Sequence, residues 1–194
     1  MAENRLWTNQ WLLVAIIAVL AVSLAGLAFY RRDQPVTTVV LVRHAEKNIE
    51  PNNPNPALTP AGQERAQTLA RMLDKTGVTA VYATQFIRTQ WTAAPLADRL
   101  GLKVIQTDAK DVTGLVNQIK TANAGGLVFV SGHNNSVPAI VAGLGGGNYP
   151  IIPENEYDNL FVVTIYRSGK AKTLKIKYGN PSPPATDAPS NMTQ

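Results

Sequence analysis

The sequence predicts an α/β fold, a three-layer sandwich with a mostly parallel central sheet and a C-terminal antiparallel hairpin. Three observations predict it. Short apolar runs rich in β-branched residues, at 37–42, 78–83, 104–105 and 127–130, alternate with stretches whose apolar residues recur at helical spacing. Two of those runs lead into a histidine, at Arg43-His44 and at Ser131-Gly132-His133. In open α/β sheets, chemistry collects just past the carboxyl ends of strands. The last two runs, 160–166 and 173–177, flank a Ser168-Gly169 turn, as the strands of a hairpin do.

The N-terminal stretch 11–30 carries no charge. Twenty such residues span a bilayer core of roughly 30 Å. Trp7 and Trp11 at one end and Tyr30 at the other resemble an interfacial belt, and Arg31-Arg32 follow at once. Residues 1–32 therefore read as a tail and single-pass transmembrane anchor. The competing reading is a secretory signal peptide cleaved near Ser23-Leu24-Ala25. The length of the apolar run favours the anchor, as does a leader whose lone Arg5 is offset by Glu3. Residues 33–36 form a linker reaching only about 15 Å, which would hold the domain close to the lipid.

The domain occupies 37–178. After the first strand, the Asn- and Pro-rich stretch 48–56 is a loop. Thr59 is placed to cap a helix with Pro60 in its first turn. Ala66, Leu69, Ala70 and Leu73 form that helix's apolar face, and Gly77 ends it. The second strand, 78–83, leads to a helix over 88–100, which Pro95 should kink or break. Val104-Ile105 is a third strand, and Val112, Leu115, Val116 and Ile119 mark the next helix. Strand 127–130 delivers His133, and a helix over 137–144 stops at Gly145-Gly146-Gly147. The tail, 179–194, is rich in Pro, Ser, Thr and Asn and is expected to be disordered.

Composition excludes several classes. The net charge is +5, but Asp and Glu are interspersed through the body, so no nucleic-acid partner is expected. The absence of cysteine excludes disulfides and thiolate zinc sites. Arg167, Lys170, Lys172, Lys175 and Lys177 form a basic patch. It serves either to protect an edge strand or to attract anionic lipid. His44 beside Arg43 at a strand end suggests an imidazole held ready for a phosphoryl group.

The stretch Leu41-Val42-Arg43-His44-Ala45-Glu46-Lys47 closely resembles the Arg-His-Gly/Ala signature of the histidine phosphatase superfamily, the phosphoglycerate mutase-like fold. Three more stretches match in the family's order: Leu58-Thr59-Pro60-Ala61-Gly62, Arg88-Thr89-Gln90-Trp91-Thr92-Ala93 and Ser131-Gly132-His133-Asn134. The resemblance covers about 37–178 and implies that His44 and His133 share one crevice. It implies His44 as the nucleophile, Arg43 and Arg88 as phosphate clamps, and His133 as a donor to the phosphoryl oxygens. The backbone amide of Asn134 adds a donor, and Asn48 and Thr59 are candidates for the rim.

The general acid is the open position. Asp111 is the first candidate, though it is also placed to cap a helix. Asp108 and Glu46 are its rivals, and the cluster Glu154-Asn155-Glu156-Tyr157-Asp158 is a further source. Both histidines are assigned, so no metal and no cofactor are expected. Asn134 rather than aspartate follows His133, and the chain lacks room for a large helical cap. Both features place it with the compact branch, with short insertions.

The implied activity is hydrolysis of a phosphate monoester through a phosphohistidine, on a phosphorylated small molecule or a phosphoprotein. The alternatives are a phosphate-binding or scaffolding pseudo-phosphatase, a mutase, and a protein phosphohistidine phosphatase. Arg31-Arg32 favour a cytoplasmic domain. The export signals common among short relatives, with the lack of cysteine, tip the reading towards an extracytoplasmic one.

Overall fold

The computed structural model describes residues 3–32 and 35–182. In chain order the elements are α1 (Glu3–Arg32), β1 (Pro35–Arg43), α2 (Pro60–Leu73), β2 (Val78–Thr84), α3 (Ile87–Leu100) and β3 (Val104–Thr107). There follow α4 (Val112–Ala122), β4 (Leu127–Gly132), α5 (Ser136–Gly143), β5 (Asn159–Tyr166) and β6 (Ala171–Lys177).

The six strands make one sheet in the order β3-β2-β4-β1-β5-β6. The first four are mutually parallel; β5 runs antiparallel to β1 and forms a hairpin with β6. Alternation of side chains along each strand sends residues to two faces. Val39, Leu41, Val128 and Val130 face one way and pack with Leu115, Ile119, Val137 and Ile140 of α4 and α5. Val40, Val42, Val81 and Phe129 face the other and pack with Leu69, Leu73, Ala93 and Leu96 of α2 and α3. These are the three layers expected.

Thr59 caps α2 as its sequence predicts, its Oγ1 accepting from Gly62 N at 3.1 Å with Pro60 in the first turn. Gly62 is required here because a Cβ would meet the Glu46 carbonyl oxygen at only 2.2 Å. The helix ends at Leu73, before Gly77. Thr76 closes it by donating from both its amide and its hydroxyl to the Leu73 carbonyl, and Gly77 then turns the chain at φ +83°. Nor does Pro95 end α3, which continues to a left-handed Gly101 cap. Buried Ala93, Leu96 and Ala97 on either side of Pro95 hold it against the sheet.

The basic patch does not hold together. Lys175 lies over the Phe161 ring at 5.5 Å, and Lys177 is ion-paired with Glu156 and Asp158, while Arg167, Lys170 and Lys172 stay at the far end of the hairpin. The start of the tail is tied down: Ser182 Oγ accepts from Tyr157 N and Asp158 N, at 2.8 and 3.2 Å. The rest of the expected disordered tail lies outside the described residues.

The apolar stretch Gln10–Arg31 within α1 is long and apolar enough to cross a membrane. Every large apolar side chain from Trp11 to Tyr30 is exposed, so this helix adds nothing to the domain's core.

Candidate active site

Two adjacent strands build the site. Arg43 ends β1 opposite Gly132 at the end of β4, and the His44 amide donates to the Gly132 carbonyl at 2.9 Å. His44 and His133 therefore leave the sheet side by side, their ring centroids 5.6 Å apart. This is the crevice implied by the resemblance.

Local bonds fix each ring. His44 Nδ1 lies 2.8 Å from the Ala45 carbonyl oxygen, which can only accept. Nδ1 thus carries the ring proton, and the Nε2 lone pair is free. His133 Nε2 lies 3.0 Å from Thr84 Oγ1, which is 2.8 Å from Thr89 Oγ1. Thr89 donates to the Phe86 carbonyl at 2.8 Å. The arrangement that satisfies the whole chain runs from His133 to Thr84 to Thr89 to Phe86. Thr92 Oγ1 accepts from Ala45 N and donates to the Arg88 carbonyl, joining the turn after His44 to the first turn of α3. The threonines of the Arg88 motif thus hold the frame.

Arg43 is 1% exposed. Its Nη1 donates to the carbonyls of Pro153, Glu154 and Glu156, at 2.7, 2.9 and 3.2 Å, and its Nη2 meets Glu154 Oε2 at 2.5 Å. Its guanidinium also lies 4.5 Å above the Tyr157 ring. Arg88, from the start of α3, stacks 4.3 Å over Phe86 and makes one long bond, 3.4 Å, to the Pro54 carbonyl. The Nε of both arginines is buried without a partner. A buried N–H without an acceptor is costly. Two cationic ones beside a free imidazole nitrogen suit an anion with several oxygens.

Burial dominates the histidines' protonation. It lowers His44 to about 3 and His133 to about 4, and the charges of Arg43 and Arg88 push the same way. The bond to Ala45 opposes this for His44 without offsetting it. Both rings are neutral at pH 7. The unfolded chain, with histidines near 6.5, binds protons that the folded chain refuses below that value. Stability must therefore fall as pH drops from about 6.5 towards 4. The thermal midpoint is expected to decline across that window, with a shallower slope in a His44→Gln, His133→Gln double variant. A flat or rising midpoint in the wild type would contradict the buried neutral rings.

The other residues singled out in the sequence divide. Asn134 is in the site: its Nδ2 donates to Glu154 Oε1 at 2.7 Å. Asn48 pairs its amide with the Ala57 carbonyl, and Thr59 is spent on capping. Asp111 caps α4, its Oδ1 accepting from Gly114 N at 2.8 Å, and Asp108 Oδ1 accepts from Lys110 N at 2.9 Å. Both line a narrow cleft with Thr84, Ser131 and Ser136. Glu46 grips Arg65 through both carboxylate oxygens, at 2.7 to 3.0 Å. Arg65 is buried, and it also donates to the Tyr178 carbonyl. The carboxylate in contact with Arg43 is Glu154. Its cluster was visible in the sequence, but nothing there showed that a loop 110 residues away closes on Arg43. Tyr157, its ring 6.2 Å from His44, carried no signal at all.

Residues 39–111 match the family model described as histidine phosphatase superfamily, branch 1. Among solved structures, the fold is similar to that of the protein histidine phosphatase SixA complexed with tungstate. The two are 21% identical, with a TM-score of 0.59, over 72% of this chain and 96% of that one. It is also similar to native mycobacterial glucosyl-3-phosphoglycerate phosphatase, at 12% identity and a TM-score of 0.57, over 74% of this chain and 98% of that one. Among curated proteins, the PE-PGRS family protein PE_PGRS11 of Mycobacterium tuberculosis is 37% identical over 82 residues, 41% of this chain. The chain spans only 14% of that protein's length. With the motifs, the sheet order and the paired histidines, these findings agree: residues 39–111 match the histidine phosphatase superfamily model, and the fold is similar to that of solved members of that superfamily.

Proposed function

We propose that this chain is a membrane-anchored phosphatase that hydrolyses phosphate monoesters through a phosphohistidine on His44, without a metal. One observation carries the reading: the free Nε2 of a neutral His44 stands beside two arginines with unpartnered buried Nε–H groups. Nε2 attacks phosphorus, and the P–N bond forms as the bond to the leaving oxygen breaks. Arg43, Arg88 and His133 hold the phosphoryl oxygens; a bound dianion favours the protonated form of His133. Water then attacks phosphorus, giving one proton to the carboxylate that protonated the leaving oxygen; the P–N bond breaks, and inorganic phosphate and neutral His44 are released. Among the described residues, no group of three or more His, Asp or Glu is gathered to hold a metal.

The leaving oxygen needs a proton. In this reading Glu154 supplies it, because Asp111 is engaged as a cap and Glu46 with Arg65. A phosphoryl group bound by Arg43 and Asn134 displaces the Glu154 carboxylate from both. Its side chain is 74% exposed and free to swing to the rim. The substrate class is a phosphorylated small molecule or a phosphoprotein. The apolar helix supports a single-pass anchor, and an extracytoplasmic domain remains the proposed side.

The test compares nitrophenyl phosphate with an alkyl phosphate, in excess chelator. Both should turn over. Glu154→Gln should slow the alkyl ester by about 10²-fold and the activated aryl ester much less. Asp111→Asn should change neither, since asparagine caps nearly as well. A selective alkyl defect in Asp111→Asn would return the acid to Asp111. Activity lost in chelator and restored by a divalent ion would contradict the metal-free route. Phosphate binding without turnover would mark a pseudo-phosphatase.

A further inference from the structure

We propose that the end of the domain where the anchor enters is a docking surface for anionic lipid, and that the catalytic pocket faces away from the bilayer. The proposal rests on the anchor reading above. β1 begins at Pro35, three residues after α1 ends at Arg32, so the domain starts within about 10 Å of the anchor. The same strand ends at Arg43, and nine residues at about 3.3 Å each put His44 roughly 30 Å from that start. The anchor and the pocket lie at opposite ends of one strand.

Charge follows the same axis. β2, β3 and β4 run parallel to β1, so all begin at the anchor end, and the helices that precede them finish there. The β5–β6 turn is there too, because Tyr166 pairs with Pro35. Exposed Lys75, Lys103, Lys120, Arg167, Lys170 and Lys172 all belong to these strand starts, helix ends and turn. Lys120 Nζ donates to the Gly143 carbonyl. The described acids at this end are Asp98 and Asp74, and Asp74 is already ion-paired with Arg99. At the opposite end Glu46, Glu50, Glu64, Asp108, Asp111, Glu154, Glu156 and Asp158 offset Arg43, Lys47, Arg65, Arg88, Lys110 and Lys177.

Within the described domain, cations thus outnumber acids at the end nearest the anchor and not at the end that holds the pocket. Protection of an edge strand explains Lys172 on β6 and Lys103 before β3, but not Lys75 and Lys120 at the ends of α2 and α4. An anionic bilayer attracts cations that come within a Debye length, about 8 Å at physiological salt. The short linker brings this face into that range. The consequence for the reaction is a substrate class: phosphoesters in solution or on a protruding macromolecule, not the headgroups of the same bilayer.

The absence of cysteine makes single-site labelling clean. The full chain, with a donor fluorophore on Ser168→Cys or Ile49→Cys, is placed in lipid nanodiscs carrying an acceptor lipid. Ile49 is 93% exposed in the loop after β1. With phosphatidylglycerol present, energy transfer should be strong from 168 and weak from 49, a difference of about 25 Å. That difference should narrow in phosphatidylcholine alone, at high salt, and in an Arg167→Glu, Lys170→Glu, Lys172→Glu variant. The variant's turnover of nitrophenyl phosphate should stay unchanged, showing that it has folded. Equal transfer from both labels, or a difference blind to lipid charge and charge reversal, would overturn the proposal while leaving the anchor intact. A chain that does not co-elute with nanodiscs would overturn the anchor reading and this proposal with it.

Discussion

Replacing His44 with alanine is expected to lower turnover by about 10⁴-fold or more while the protein stays folded. Loss of a nucleophile removes the covalent route outright, and the remaining donors supply only part of the rate. Burial keeps His44 neutral, so no proton must leave before attack, and Ala45 fixes the proton on Nδ1. No other residue offers an imidazole in the same frame. His133 is tied to Thr84 and acts as a donor, so His133→Ala should cost less, roughly 10²–10³-fold. Steady-state assays with nitrophenyl phosphate, with circular dichroism on each variant, check both the order and the fold. Equal losses in the two variants would mean that the histidines do not have separate roles.

The two arginines should part company on stability. Arg43→Ala and Arg88→Ala are each expected to cut kcat/KM by roughly 10²–10³-fold, as loss of a charged transition-state donor does. Arg43, however, also satisfies three backbone carbonyls and the Glu154 carboxylate from a fully buried position. Its removal should destabilise the domain by about 3–5 kcal/mol and loosen the loop 153–158. Arg88 has one long bond to Pro54 and a stacked ring, so Arg88→Ala should cost under about 1 kcal/mol. Denaturant midpoints alongside kinetics separate the cases. Equal stability losses would show that Arg43 is not the clasp of that loop.

Much of this arrangement is legible in the sequence because its causes are local. A β-branched run ending in Arg43-His44 marks a strand that delivers a histidine to the sheet's end. Thr59-Pro60 marks a helix start. What is not legible depends on contacts between distant segments. No local pattern shows that β4 lies beside β1, which brings the two histidines together; only the resemblance implied it. Glu46 looks available from its place beside His44 until Arg65, 19 residues on, is seen to hold it. Asp111 has equal claims as cap and acid on spacing alone, and the Gly114 amide shows which bond it makes. The basic residues of the hairpin look like one patch until the acids of the 154–158 cluster take Lys177.

The most direct test of the account is to trap the intermediate. Wild-type protein, mixed rapidly with radiolabelled aryl phosphate and quenched in base, should carry an acid-labile, base-stable phosphate on a single peptide containing His44. The label should appear and decay at rates consistent with turnover and be absent in His44→Ala. A label on His133, a label on a carboxylate or hydroxyl, or full turnover with no labelled protein at any time would contradict the mechanism.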